Sequence, residues 1–165
     1  MTAAPEYRIH MYMHDKKLVI PDDALKETPC VSLHVRRAGR QLSQLYDHYL
    51  RPAGIRSTQY GMLRCVETLP EPFISDIGRA LGMDQTTVTR NISTLEKAGL
   101  VETRPHPDDP RKKAVRLSAA GKARLVAALP LWEEAQRHIL SRMGRADCDT
   151  LLRLLGELSE AAGDY

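Results

Sequence analysis

Apolar positions along the chain follow helical spacing almost everywhere except one short interval. Ile74, Ile77 and Leu81 share a face, and Val88, Ile92 and Leu95 recur at i, i+4 and i+7, which predicts two short amphipathic helices in succession. Gly82 suits the tight turn that ends the first. Asp84 suits the N-cap of the second, where a carboxylate accepts from the unpaired N–H groups of the first turn. After Gly99 the period changes. Residues 100–104 and 114–117 read as two short strands, and the prolines between them, Pro105, Pro107 and Pro110, oppose a continuous helix.

Longer helices flank this block. Val31, Val35, Ala38, Leu42, Leu45 and Tyr49 alternate steps of four and three, the seam of a helix from about residue 28 to 51 that packs on partner helices. Pro52 and Gly54 stop it, and Ser57 or Thr58 is expected to cap a helix that carries Tyr60, Met62, Leu63, Cys65 and Val66 into a core. Ser118 opens a helix reaching about Met143, with Leu125, Ala128, Leu129, Trp132, Ala135 and Ile139 as its apolar stripe. Pro130 inside it removes one backbone bond and predicts a kink. Leu151, Leu152, Leu155 and Leu158 mark a last helix.

The second short helix has a face that its apolar stripe does not use. Gln85, Thr86, Thr87, Thr89, Arg90 and Ser93 carry hydroxyls, amides and one cation, the groups that reach base edges and phosphates in a DNA major groove. A helical hairpin with a merely solvated polar face has the same polarity. The hairpin that follows favours the DNA reading. Arg104, Arg111, Lys112, Lys113 and Arg116 oppose only Asp108 and Asp109 there, as in a basic wing whose arginine enters a minor groove.

Bulk composition adds little to this. The chain has 165 residues, one domain's length, and is 42% hydrophobic with a net charge of +3, too mild to prove a nucleic-acid partner. No run of about 18 apolar residues predicts a membrane span, and no secretory signal is expected. Three widely spaced cysteines, Cys30, Cys65 and Cys148, suit a reducing cytoplasm, with the protein on the nucleoid. No glycine-rich phosphate loop, Ser/His/Asp grouping or Cys/His metal spacing appears, so neither an enzyme, a cofactor nor a metal site is expected. His10 and His14 would share a face if their segment were helical, but a third ligand is missing.

Several motifs, in order and spacing, resemble the MarR family of bacterial winged-helix regulators. They are Ser57-Thr58-Gln59-Tyr60 opening a helix, Leu95-Glu96-Lys97-Ala98-Gly99-Leu100-Val101, and Asp109-Pro110-Arg111-Lys112 followed by Val115-Arg116-Leu117-Ser118-Ala119-Ala120-Gly121. The resemblance implies a mainly α fold with a small β-hairpin wing, a winged helix-turn-helix flanked by N- and C-terminal dimerisation helices. It implies an N-terminal extension over 1–27, dimerisation helices over 28–54 and 119–165, and a DNA-binding region over 55–118, all in one intertwined domain. Arg111 would be the minor-groove residue, Lys112 and Lys113 would meet phosphates, and Asp109 would brace the wing against Arg104 or Arg116. Homodimers binding a pseudo-palindromic DNA operator, usually as repressors, are also implied.

Two effector classes remain open. A small aromatic carboxylate would use Arg40 for its charge and Tyr46 and Tyr60 as a lining, a position the resemblance suggests. Cys30 at a helix start is a candidate redox thiol, because a helix N-terminus favours a thiolate. Ser32 rather than Cys30 aligns with the reactive cysteine of the family's hydroperoxide-sensing branch. An architectural binder without a specific operator is the third class, and it predicts sequence-blind, steeply salt-dependent affinity.

Overall fold

A computed structural model describes residues 12–14, 17–19, 28–70, 72–106 and 113–163. It forms two units, Met1–Gly39 and Arg40–Tyr165. In the first, strands β1 (Tyr12–His14) and β2 (Lys17–Val19) pair antiparallel, with Met13 opposite Leu18. The helical face proposed for His10 and His14 is therefore not formed. His14 lies in an extended strand, and His10 lies outside the described residues. The same unit holds the start of helix α1 (Val31–Leu50), where the Cys30 carbonyl accepts from the His34 N–H at 3.2 Å. Cys30 thus occupies the cap position.

The second unit contains the rest of α1 and then α2 (Ser57–Thr68), α3 (Ile74–Leu81), α4 (Gln85–Lys97), β3 (Val101–Pro105), β4 (Lys113–Leu117), α5 (Ala119–Met143) and α6 (Arg145–Gly163). Its core is built from the expected apolar faces: Met62, Leu63 and Val66 of α2, Ile77 of α3, Val88, Ile92 and Leu95 of α4, and Val115 of β4 are all buried. Gly78 lets α3 and α4 cross closely, since a Cβ there would stand 3.0 Å from the Met83 carbonyl. Helix α5 runs through Pro130 as one element. Leu129, expected on its inner stripe, is exposed.

One cap differs from expectation. Neither Ser57 nor Thr58 caps α2. Instead Asp47, on α1, accepts from both the backbone N–H and the hydroxyl of Ser57, each at 2.7 Å. Gln59 reaches back to the Arg56 N–H at 2.9 Å. A side chain ten residues upstream does what a local cap does, and local patterning cannot reveal it.

The β3–β4 hairpin pairs Val101 with Leu117, Glu102 with Arg116 and Thr103 with Val115. The segment before α3 lies against it: Phe73 forms a single bridge to Ala114, and the Val115 N–H donates to the Pro72 carbonyl at 2.8 Å. At the hairpin's base, the Ser118 N–H donates to the Leu100 carbonyl at 3.1 Å, and Gly121 lies against that same oxygen. A Cβ on Gly121 would fall 1.9 Å from it. Gly121→Ala is therefore expected to lower unfolding free energy by about 1–3 kcal/mol or more through overpacking. Gly61→Ala, where an added Cβ meets nothing within 4 Å, is expected to raise it by about 0.5–1 kcal/mol. Denaturant unfolding of both variants checks the pair.

Candidate nucleic-acid interface

Helix α4 is held at both ends by groups of its own sequence. Asp84 accepts from the Thr87 N–H at 2.8 Å and from the Thr87 hydroxyl at 2.7 Å. Those bonds, the hydroxyl's first, hold the Asp84 carboxyl below its usual range. Before it, Gly82 turns the chain at φ 60°, as expected from the sequence. After it, Gly99 reverses direction at φ 70°, and the Leu100 N–H donates to the Leu95 carbonyl at 2.9 Å.

With Val88, Ile92 and Leu95 buried, the opposite face of α4 is fixed outward. Gln85, Thr86, Thr89, Arg90 and Ser93 line one shared surface groove of about 610 Å³. Thr87 is not among them. Its hydroxyl donates to Asp84 and holds the cap. The Thr89 hydroxyl donates to the Gln85 carbonyl at 2.8 Å, which leaves its oxygen able to accept.

The wing is tied to α4 by a contact that sequence reading missed. Glu96 accepts from the Thr103 N–H at 3.0 Å and from the Thr103 hydroxyl at 2.6 Å. Those bonds, the hydroxyl's first, with a smaller part from the Lys113 ammonium, lower the Glu96 pKa. The last turn of α4 and the first residues of β3 are therefore joined by two hydrogen bonds. A glutamate at a helix end and a threonine seven residues on share no period, so spacing alone does not couple them. On the hairpin, Arg104 pairs with Glu102 at 3.3 Å, and Glu102 stands in register opposite Arg116. A carboxylate thus lies between the two arginines expected to meet Asp109. Lys113 is exposed at the start of β4, while Asp109, Arg111 and Lys112 lie outside the described residues.

The candidate effector residues are placed differently from one another. Arg40 is exposed. Tyr46 is half-buried and donates to Gln136 at 2.6 Å. Tyr60 is buried and stacks on Trp132 at 5.9 Å between ring centroids. Burial pushes both phenols above their usual pKa. Of the three cysteines, Cys30 is exposed while Cys65 and Cys148 are buried, and burial raises the Cys65 thiol. Among the described residues no group of three His, Cys, Asp or Glu side chains could hold a metal, and no helix is long and apolar enough to cross a membrane.

Comparison with known proteins bears directly on this arrangement. A family model described as the MarR family matches residues 55–113. The M. tuberculosis transcriptional regulator MosR, in a crystal structure with DNA, is 33% identical, with a TM-score of 0.73 over 81% of this chain and 98% of that one. The HTH-type transcriptional repressor YetL of Bacillus subtilis is 23% identical over 123 residues, 73% of this chain and 74% of YetL. BpsR of Bordetella bronchiseptica, at 22% identity, shares the fold with a TM-score of 0.72 over 81% of this chain and 95% of that one.

Asp84 and Glu96 make the ends of α4 sensitive to acid. Both carboxyls have lowered folded-state pKa values, so each contributes stability that is fully present above the unfolded carboxyl pKa of roughly 4 and is lost as pH falls through the lower folded value. Thermal unfolding across pH 2–7 is expected to show Asp84→Asn and Glu96→Gln less stable than the parent above about pH 5, with the gap closing toward pH 2. A gap independent of pH would contradict the assignment.

Proposed function

The chain belongs to the MarR family, and on that premise we propose that two copies bind a pseudo-palindromic DNA operator and repress transcription until a small molecule releases them. It is a DNA-binding transcriptional regulator, not an enzyme. The observation that carries the reading is the α4 face. Five side chains able to hydrogen-bond share one exposed groove, on a helix locked at both ends and buried on its other side. Such a helix lies in a major groove with its residues at base edges. Thr89 has already given its hydroxyl hydrogen to Gln85, so it meets a base as an acceptor, facing the amino group of cytosine or adenine. The DNA complex of MosR and the repressor name of YetL support the same role. The cytoplasm and its nucleoid are the place for it.

The wing completes each reader. Arg111 enters the minor groove, where a guanidinium sheds water more easily than an ammonium, and Lys112 and Lys113 meet phosphates. Asp109 braces the hairpin internally, against Arg104 or Arg116. The dimer is formed by the flanking helices. Every large exposed apolar residue among the described ones lies outside 55–118, including Leu33 at 60% and Leu152 at 67% exposure. Apolar surface of that kind on α1, α5 and α6 fits a partner copy.

The effector is a small aromatic carboxylate that pairs with Arg40 and displaces Tyr46 and Tyr60 from their present partners. A thiol switch at Cys30 is the second reading, favoured by one observation: Cys30 is the exposed cysteine of the three. Hydroperoxide added to a protein–DNA complex separates the two. Under the carboxylate reading the complex survives peroxide. Release that Cys30→Ser abolishes would replace that reading with the thiol switch.

Binding to operator and to random DNA tests the main proposal. Thr89→Ala or Arg90→Ala is expected to cost about 1–3 kcal/mol on operator and much less on random DNA. Arg111→Ala is expected to weaken operator binding strongly, with light scattering still giving twice the chain mass. Lys112→Ala is expected to lower the salt slope by about one unit on all DNA. Asp109→Ala should weaken binding although it removes a negative charge. Equal losses on both DNAs for Thr89 and Arg90 would mean a backbone-only, architectural binder.

A further inference from the structure

The turn between α1 and α2 carries a groove of about 530 Å³, lined by Asp47, Arg51, Gly54, Ile55, Arg56 and Gln59. The carboxylate in that lining is already used, since Asp47 accepts from the Ser57 N–H and hydroxyl, each at 2.7 Å. Arg51 and Arg56 are exposed, and among the described residues no ion pair takes up either guanidinium. Gln59 turns its amide oxygen to the Arg56 N–H at 2.9 Å, which leaves its NH₂ group as a donor. What the groove offers is therefore donors and positive charge. Ile55 is buried, so an apolar ligand body would find little to cover.

We propose that Arg51 and Arg56 hold the sugar-phosphate backbone of duplex DNA beside the wing, as a further cationic contact of each reader. Position points to this partner. Helix α5 reaches the wing base and the groove from one face: Gly121 lies against the Leu100 carbonyl, and Arg124, three residues on, donates to the Ala53 carbonyl at 2.9 Å. Three residues of helix advance about 4.5 Å, so the α1–α2 turn is fixed close to the residue that precedes β3. The chemistry agrees. Guanidinium forks match phosphate oxygens. Two exposed cations without an apolar wall bury too little of a small free anion to hold it well, whereas a duplex docked through α4 brings its phosphates at high local concentration. A phosphate contact carries no base information, so it adds affinity and leaves sequence preference to α4. The inference rests on the reading of the chain as a DNA-binding protein, but not on the existence of an operator.

Binding of the full chain to a random-sequence duplex, titrated across a range of salt concentrations, tests it. Arg51→Gln and Arg56→Gln are each expected to weaken binding roughly threefold or more, and to lower the slope of log affinity against log salt by about one unit, with the double variant lowering it by about two. A second measurement needs no variant. Phenylglyoxal modification of the parent chain, read by peptide mass spectrometry, is expected to slow at Arg51 and Arg56 when the duplex is added and to stay unchanged at exposed Arg142. Unchanged slopes for both glutamine variants, or equal reactivity of both arginines with and without DNA, would overturn the inference. A lowered slope for Lys113→Gln in the same titrations would then leave the DNA reading standing. No binding of any duplex by the parent chain would overturn both. Lowered slopes for the arginine variants in a chain with no operator preference would support the inference and contradict the operator reading.

Discussion

The DNA-reading unit depends on one small junction, where the chain leaves α4 and where it leaves the wing. Three of the hydrogen bonds that Ser118 makes meet there. Its N–H donates to the Leu100 carbonyl at 3.1 Å, its hydroxyl donates to the Gly99 carbonyl at 2.6 Å, and the same oxygen accepts from the Gly121 N–H at 2.9 Å. The first two bonds close the base of the hairpin on the end of α4. The third starts α5. Gly121 must lack a side chain because the Leu100 carbonyl occupies the space, and Gly99 must turn with positive φ to bring that carbonyl round. A recognition helix, a wing and the next long helix thus share a few atoms of contact.

That junction ties together parts that are each short. A helix of thirteen residues and a two-stranded hairpin are marginal alone. Here α4 is capped by Asp84 at one end and bonded through Glu96 to Thr103 at the other, and a single bridge at Phe73 ties the segment before α3 to the hairpin. On the α4 surface the Thr89 hydroxyl is held by the Gln85 carbonyl.

Much of this was legible in the sequence because it is local. The apolar faces of α3 and α4, the turn at Gly82, the cap at Asp84 and the reversal at Gly99 each follow from residues within four positions of one another. The strands were placed within a residue of where they lie. What the sequence concealed is non-local: Asp47 capping α2 across ten residues, Pro72 and Phe73 pairing with β4, and Glu96 reaching Thr103. Thr87 adds a further case: on a helical wheel it stands near the polar face, and only the position of Asp84's side chain shows that its hydroxyl also donates to the cap. The arm met a similar limit, since a strand at Tyr12–His14 leaves no periodic signal in three residues.

The central claim is that a rigid α4-and-wing block, present twice in a symmetric dimer, reads base sequence. Selection of binding sites by the full chain from a random duplex pool addresses it most directly. A dimer of such readers is expected to enrich an inverted repeat whose half-site centres lie about one helical turn, roughly 10–10.5 base pairs, apart, with A·T-rich flanks under the wings. Enrichment of a single unrepeated site, or of no sequence at all despite salt-sensitive binding, would contradict it.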